Sequence, residues 1–78
     1  MAKYMSYPQP DAAESGCKVS WNYYKDKAKA LECAKAAEHN REISLSLGYD
    51  FGYCWPGTIT KIDNPEHEYH GMYEVCLP

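Results

Sequence analysis

Hydrophobic and polar residues alternate in two stretches of the chain, a pattern typical of half-buried strands. The first stretch is 17–24, where the alternate positions are Val19, Trp21 and Tyr23. The second is 67–77, where they are Tyr69, Gly71, Tyr73, Val75 and Leu77. A Thr- and Ile-rich run at 57–62 predicts a further strand. It would pair antiparallel with 67–77 across a turn at Asp63–Glu66.

Residues 27–42 predict a helix, because Ala, Lys, Glu and Leu are strong helix formers. Asp26 is a suitable N-cap for this helix. Small residues recur at helical spacing at Ala30, Cys33 and Ala37. This face of the helix can therefore approach a sheet closely.

The end of the helix has two interpretations. In one, the helix stops near Asn40 and residues 42–47 form a strand. In the other, it continues to Leu47, with Ile43 and Leu47 on its apolar face and Gly48 following in the left-handed conformation. We favour the second, because no Pro or Gly interrupts the segment before Gly48.

Every second residue from Ile43 to Trp55 is apolar or aromatic, which by itself would suggest one long strand. If the helix ends at Gly48, residues 49–57 form a separate segment, which we call the aromatic connector. Its aromatic residues are Tyr49, Phe51, Tyr53 and Trp55. Phe51 and Trp55 have two interpretations: core residues under the single helix, which we favour for their burial, or part of a contact surface. Tyr53 is expected at the surface, together with Tyr24, Tyr69 and Tyr73, because one small core cannot hold eight tyrosines.

Together these elements predict a single small α+β domain over 16–78, in the order β-α-β-β. One helix would pack on a mainly antiparallel three-stranded sheet. Residues 1–15 contain two prolines and no periodicity, which predicts an irregular N-terminal arm. Tyr4, Met5 and Tyr7 could dock this arm onto the domain.

Composition and charge narrow the possible functions. A chain of 78 residues has room for one domain. The net charge is −3 and the basic residues form no concentrated face, so direct nucleic-acid binding is not expected. No apolar run reaches the roughly 18 residues of a membrane span, and residues 1–10 lack the apolar region of a signal peptide. The expected location is therefore cytoplasmic.

The cysteines and histidines offer limited chemistry. Cys17, Cys33, Cys54 and Cys76 lie 16, 21 and 22 residues apart. Because the chain shows no secretory signal, we expect the four cysteines to pack as small hydrophobic residues rather than to form disulfides. A metal site using His67, His70 and Cys76 is an alternative function, because zinc favours these ligand types. No cysteine or serine lies in the motif of a catalytic nucleophile, so neither an enzyme nor a cofactor is expected.

The architecture resembles that of small phage-encoded anti-CRISPR inhibitors. The segments that carry the resemblance are C-K-V-S-W-N-Y-Y, K-A-K-A-L-E-C-A-K-A-A and P-G-T-I-T-K-I, which cover roughly two-thirds of the chain. Several of those inhibitors are single domains of this size, with a strand, an alanine-rich helix and a following hairpin. The resemblance supplies no functional residue. It implies a protein-binding inhibitor rather than an enzyme.

We therefore expect a non-enzymatic module that binds a protein partner and occludes its surface. Aromatic side chains dominate interface hot spots, and an acidic turn suits a basic partner. The predicted contact residues are Tyr49, Tyr53, Trp55, Asp63, Glu66, Glu68 and Tyr69. A second alternative is a structural subunit that self-associates, for example as a homodimer, through a Tyr-rich sheet face.

Overall fold

A computed structural model describes residues 3–16 and 18–78. It contains one helix and four strands: β1 (Ala12–Ser15), β2 (Ser20–Tyr24), α1 (Lys27–Ser46), β3 (Ile59–Lys61) and β4 (Tyr73–Leu77). The strands form one sheet in the order β1-β2-β4-β3. All three strand pairs are antiparallel. The predicted α+β class, with one helix on an antiparallel sheet, is therefore confirmed.

The predicted number of strands and the order β-α-β-β were wrong, because β1 lies inside the segment expected to be an irregular arm. β1 reads A-A-E-S, which has neither alternation nor β-branched residues. It forms because it pairs antiparallel with β2, where Ala12 pairs with Tyr23 and Ser15 with Ser20. Residues 3–10 have no regular secondary structure.

β4 is shorter than the predicted strand at 67–77. Residues 67–71 form turns instead. The His70 N–H donates to the His67 carbonyl, and the Met72 N–H donates to the Tyr69 carbonyl. Gly71 adopts a φ of +87°, a left-handed value that interrupts the extended pattern. The residue alternation therefore continues through a segment that is not a strand.

Both ends of α1 are defined by hydrogen bonds. The Asp26 carboxylate accepts from the Ala28 N–H at 2.9 Å, as predicted for the N-cap. At the other end, Gly48 has a φ of +91°. The Gly48 N–H donates to the Leu45 carbonyl and the Tyr49 N–H to the Ser44 carbonyl. This Schellman motif confirms the longer helix, and the alternative strand at 42–47 was wrong.

The core lies between α1 and the sheet. The helix contributes mainly small side chains, while the strands contribute larger ones. The buried members of this cluster are Tyr24, Ala30, Cys33, Ala34, Ala37, Val75 and Leu77. Tyr24, which we expected at the surface, is fully buried here. Its ring can be accommodated because the opposing helix face is built from alanine and cysteine.

A second, smaller cluster covers the opposite face of the sheet. Tyr23, Ile62 and Met72 are buried there. The ring of Tyr69 packs on that of Tyr23 with 4.6 Å between centroids. Tyr69 is therefore half-buried rather than exposed, and the turn after β3 folds back over the sheet.

Asn40 holds the N-terminal arm against α1. Its side chain is buried, with 2% of its surface exposed. Its Oδ1 accepts from the Met5 N–H at 2.7 Å, and its Nδ2 donates to the Met5 carbonyl at 2.9 Å. The same Nδ2 donates to the Tyr7 hydroxyl at 2.8 Å. The Asn40 side-chain amide therefore pairs with both the N–H and the carbonyl of Met5, as the backbone of a neighbouring strand would.

We predict that Asn40→Ala releases the arm and lowers the free energy of unfolding by about 2–3 kcal/mol, because three hydrogen bonds to a buried amide are lost. Urea unfolding gives the stability, and limited proteolysis reports the release of residues 3–8. Glu32→Ala, at an exposed position of α1, serves as the control and should change stability by less than about 0.5 kcal/mol. Equal stability of the two variants would contradict this role of Asn40.

Buried tyrosines make the fold sensitive to alkaline pH. The Tyr24 hydroxyl donates to the Pro8 carbonyl at 2.8 Å. Burial raises the pKa of Tyr24 and of Tyr23 well above the usual value of 10.0. The neutral phenol is thus favoured in the folded state. The resulting stability is fully present below the unfolded pKa and is lost as pH rises through the folded pKa.

We therefore predict that the free energy of unfolding falls as pH rises past about 10. Urea unfolding between neutral pH and about pH 11 measures this slope. In Tyr24→Phe the slope should be shallower, because one of the shifted groups is absent. A slope identical to that of the unmodified protein would exclude Tyr24 as a source of the alkaline sensitivity.

Candidate functional site

The aromatic connector is anchored at both ends. It begins directly after the helix-terminating motif at Gly48. At its other end Pro56 is buried, and the Gly57 N–H donates to the Cys76 carbonyl at 2.9 Å. Gly57 has a φ of +97°, and a Cβ there would lie 2.6 Å from Glu38 Cγ. A glycine at this position allows the connector to pass close to α1.

Cys54 and Cys76 form a disulfide across 22 residues. Our expectation that these two cysteines are separate small hydrophobic residues was wrong. The fold brings their Cα atoms to 6.3 Å, a separation that a disulfide can span. Cys33 is a free, buried thiol, as expected. Cys17, for which the same expectation was made, lies outside the described residues.

Trp55 is held in place by contacts from α1 and from the connector itself. The Arg41 guanidinium lies over the Trp55 ring, 4.7 Å from its centroid. Arg41 also donates to the Pro56 carbonyl at 2.8 Å. Phe51 meets the indole edge-on at 6.4 Å between centroids. Despite these contacts Trp55 is 52% exposed, so its expected place in the core was wrong, while Phe51 is half-buried.

The connector and the end of α1 together display a set of large exposed side chains. Tyr49 is 63% exposed, Tyr53 is 65% exposed and Leu47 is 66% exposed. Exposure of Tyr53 was predicted. Leu47 was expected to anchor the core, but it occupies the helix C-cap, where the side chain points away from the helix–sheet interface. Leu47 therefore adds an aliphatic group to this surface.

The acidic turn does not lie beside the connector. Asp63, Glu66 and Glu68 are exposed, as an acidic turn requires, and the Glu66 N–H donates to the Asn64 side chain at 3.0 Å. This turn follows Lys61, which pairs with Tyr73. The connector is bonded to Cys76, three residues or about 10 Å further along β4. The two predicted contact regions therefore lie toward opposite ends of the sheet.

The proposed metal ligands do not converge. The Cys76 sulfur is bonded to Cys54, and both His67 and His70 are exposed on the turn. His67 Nδ1 accepts from the Tyr69 N–H at 3.0 Å. Within residues 3–16 and 18–78, no group of three or more His, Cys, Asp or Glu side chains is placed to hold a metal ion.

A surface cleft lies where the connector leaves α1, and sequence analysis did not identify it. One part has a volume of about 510 Å³ and is lined by Lys18, Gly48, Tyr49, Asp50 and Phe51. An adjoining part of about 300 Å³ shares Lys18, Tyr49 and Phe51 and adds Tyr4, Tyr7, Ser44 and Pro78. No local sequence signal could have predicted it, because four separate segments contribute to its walls.

Comparison with known proteins found no match. The chain matches no protein-family model, no curated protein and no solved structure. Within the part of the chain that the structure describes, α1 lacks the length of apolar sequence needed to cross a membrane.

We predict that Gly48, which precedes the connector, and Gly57, which ends it, differ in their tolerance of a side chain. Gly48→Ala should cost about 1 kcal/mol, because its φ is left-handed but no atom lies within 4 Å of the added Cβ. Gly57→Ala should cost more, because the same strain is joined by the close contact with Glu38. Urea unfolding of both variants tests this order.

The double variant Gly57→Ala/Glu38→Ala separates steric contact from backbone strain. Removing the Glu38 side chain should recover part of the stability lost in Gly57→Ala, giving a positive coupling in a double-mutant cycle. Equal losses in Gly48→Ala and Gly57→Ala, without coupling to Glu38, would show that the connector does not pass this close to α1.

Proposed function

We propose that this chain is a non-enzymatic protein-binding module of the inhibitor type, whose main contact surface is the aromatic connector. The observation that carries this proposal is Trp55, a tryptophan that is half exposed and yet fixed by Arg41 and Phe51. Tyr53 and Tyr49 extend the same surface on the connector. Leu47 adds an apolar contact at the helix end.

An exposed aromatic side chain favours binding most when it is already ordered. Binding normally costs free energy for immobilising side chains and loops. The Cys54–Cys76 disulfide, the hydrogen bond from Arg41 to Pro56 and the helix cap at Gly48 each restrict the connector before a partner arrives. Tyr and Trp are also the residues most enriched in interface hot spots. A pre-ordered Tyr/Trp surface is therefore well suited to contact another protein.

The acidic turn provides a second, separate contact in this proposal. Asp63, Glu66 and Glu68 would meet a basic region of the partner and guide its approach, since complementary charge mainly raises association rates. A partner touching both regions must extend along the sheet beyond the roughly 10 Å between Cys76 and Tyr73. Such a footprint suits steric occlusion of a partner's surface. The proposal is therefore of a phage-type, anti-CRISPR-like inhibitor that acts in the cytoplasm.

The proposal is tested by replacing Tyr53 with a photo-crosslinking benzophenone amino acid. Irradiation in a host lysate should give one dominant adduct, which mass spectrometry identifies. Trp55→Ala in the same chain should lower its yield at least about tenfold, as expected for a hot spot worth 1.4 kcal/mol or more. The matched control is Leu31→Ala, because Leu31 on α1 is 47% exposed and lies ten residues, about 15 Å, along the helix from Arg41, the residue that holds Trp55.

The mass of the adduct separates the competing functions. A heterologous protein whose yield depends on Trp55 but not on Leu31 supports the proposal. An adduct of twice the chain mass would instead support the self-associating subunit. If the yield is equally insensitive to Trp55→Ala and Leu31→Ala, the connector is not the contact surface.

A further inference from the structure

The aromatic connector crosses the sheet edge, and the disulfide fixes it on the far side. Cys76 alternates along β4 with Val75 and Leu77, which pack toward α1. Its sulfur therefore lies on the face of the sheet that is turned away from the helix. Trp55, the residue next to Cys54, contacts Arg41 on α1. The connector thus contacts both sides of the sheet within two residues.

Hydrogen bonding alone does little to order the middle of the connector. Among the described residues, no backbone N–H or C=O of residues 50–54 bonds to another part of the domain. The nearest hydrogen-bonded backbone groups are the Tyr49 N–H on the helix cap and, on the other side, two carbonyls. The Trp55 carbonyl accepts from the Thr58 N–H at 3.1 Å, and the Pro56 carbonyl accepts from Arg41. Between them, the disulfide ties Cys54 to the rigid strand β4, while Trp55 is held by non-covalent contacts.

The two cysteines differ in access to solvent. Cys76 is 2% exposed, whereas Cys54 is only half-buried. A reductant arriving from solvent can therefore approach the bond on the connector side. Its anchor, β4, is paired with both β2 and β3, and it also bonds to the connector through the Cys76 carbonyl, which accepts from the Gly57 N–H.

We propose that the Cys54–Cys76 disulfide is a redox-sensitive latch that orders the aromatic connector. Its reduction frees residues 50–55 while the sheet and α1 stay folded. The consequence for partner binding rests on the proposed function: the oxidised protein presents a fixed Trp55 and Tyr53, and the reduced protein presents a mobile loop that binds more weakly.

The reductant is a dithiol, such as dithiothreitol or a protein of the thioredoxin type. One thiolate attacks the Cys54 sulfur, the Cys54–Cys76 bond breaks, and its electron pair leaves on the Cys76 sulfur, which takes up a proton. The second thiol of the reductant then attacks the mixed disulfide and releases Cys54 as a thiol. The protein gains two electrons and two protons, and the dithiol becomes a disulfide.

Such a latch would respond to the compartment in which the chain is found. Thiol systems of the cytoplasm reduce accessible disulfides, whereas oxidising compartments preserve them. In the cytoplasm expected from the sequence, the bond would form only under oxidising conditions. The connector would then be ordered mainly during oxidation.

The experiment measures backbone ¹⁵N order parameters of the full chain with and without dithiothreitol. The background carries Cys17→Ser and Cys33→Ala, so that only Cys54 and Cys76 can respond. We expect residues 50–55 to fall from values close to those of the sheet to below about 0.6 on reduction, the range of flexible backbone. Residues of β1 and β2 should keep their order. Cys54→Ala/Cys76→Ala should resemble the reduced protein and ignore dithiothreitol.

Two outcomes would overturn the latch. Unchanged order parameters at 50–55 after reduction would show that non-covalent contacts alone fix the connector. Loss of order in β1 and β2 as well would show that the bond supports the whole fold rather than the connector.

A second measurement addresses binding. Reduction should lower the yield of the Tyr53 photo-adduct at least about tenfold, and an unchanged yield would overturn redox control of binding. The order parameters need no partner, so they test the latch even if the oxidised protein forms no photo-adduct. The absence of an adduct from the oxidised protein would count against the proposed function alone.

Discussion

The close approach of α1 to the sheet is the constraint on which the rest of the domain depends. Alanine and cysteine line the helix face, and the Tyr24 ring fills the space between the layers. Small side chains bury little apolar area each, so this interface contributes less stabilisation than a leucine-rich one would. A chain of this length already buries a modest fraction of its surface. Stability must therefore also come from contacts outside the helix–sheet interface.

Those additional contacts all fasten irregular segments to the regular core. Asn40 pairs with the backbone of the N-terminal arm, and Cys54 bonds the connector to Cys76. Arg41 combines a hydrogen bond to Pro56 with stacking on Trp55. Because the narrow core has no room for the connector's rings, several aromatic side chains remain at the surface. The same geometry that limits the core therefore creates the candidate contact surface.

Features set by local sequence were predictable, and those set by distant segments were not. The N-cap at Asp26 and the helix end at Gly48 depend on neighbouring residues, and both were identified correctly. β1 was missed because its strand conformation comes from pairing with β2 rather than from its own residues. The disulfide was missed because its cysteines are brought together only by the fold. Residue alternation also could not show which side of the connector faces solvent, so Trp55 was misplaced.

The position of β4 has a consequence for how the chain folds during synthesis. β4 is the last of the described elements to be translated, yet it lies between β2 and β3 in the sheet. Until it leaves the ribosome, β3 has no strand to pair with, and α1 lacks Val75 and Leu77 as packing partners. A nascent chain carrying everything up to the acidic turn therefore has the helix and the first hairpin but no complete core. Folding of the domain is concentrated into a single late step, after β4 has emerged.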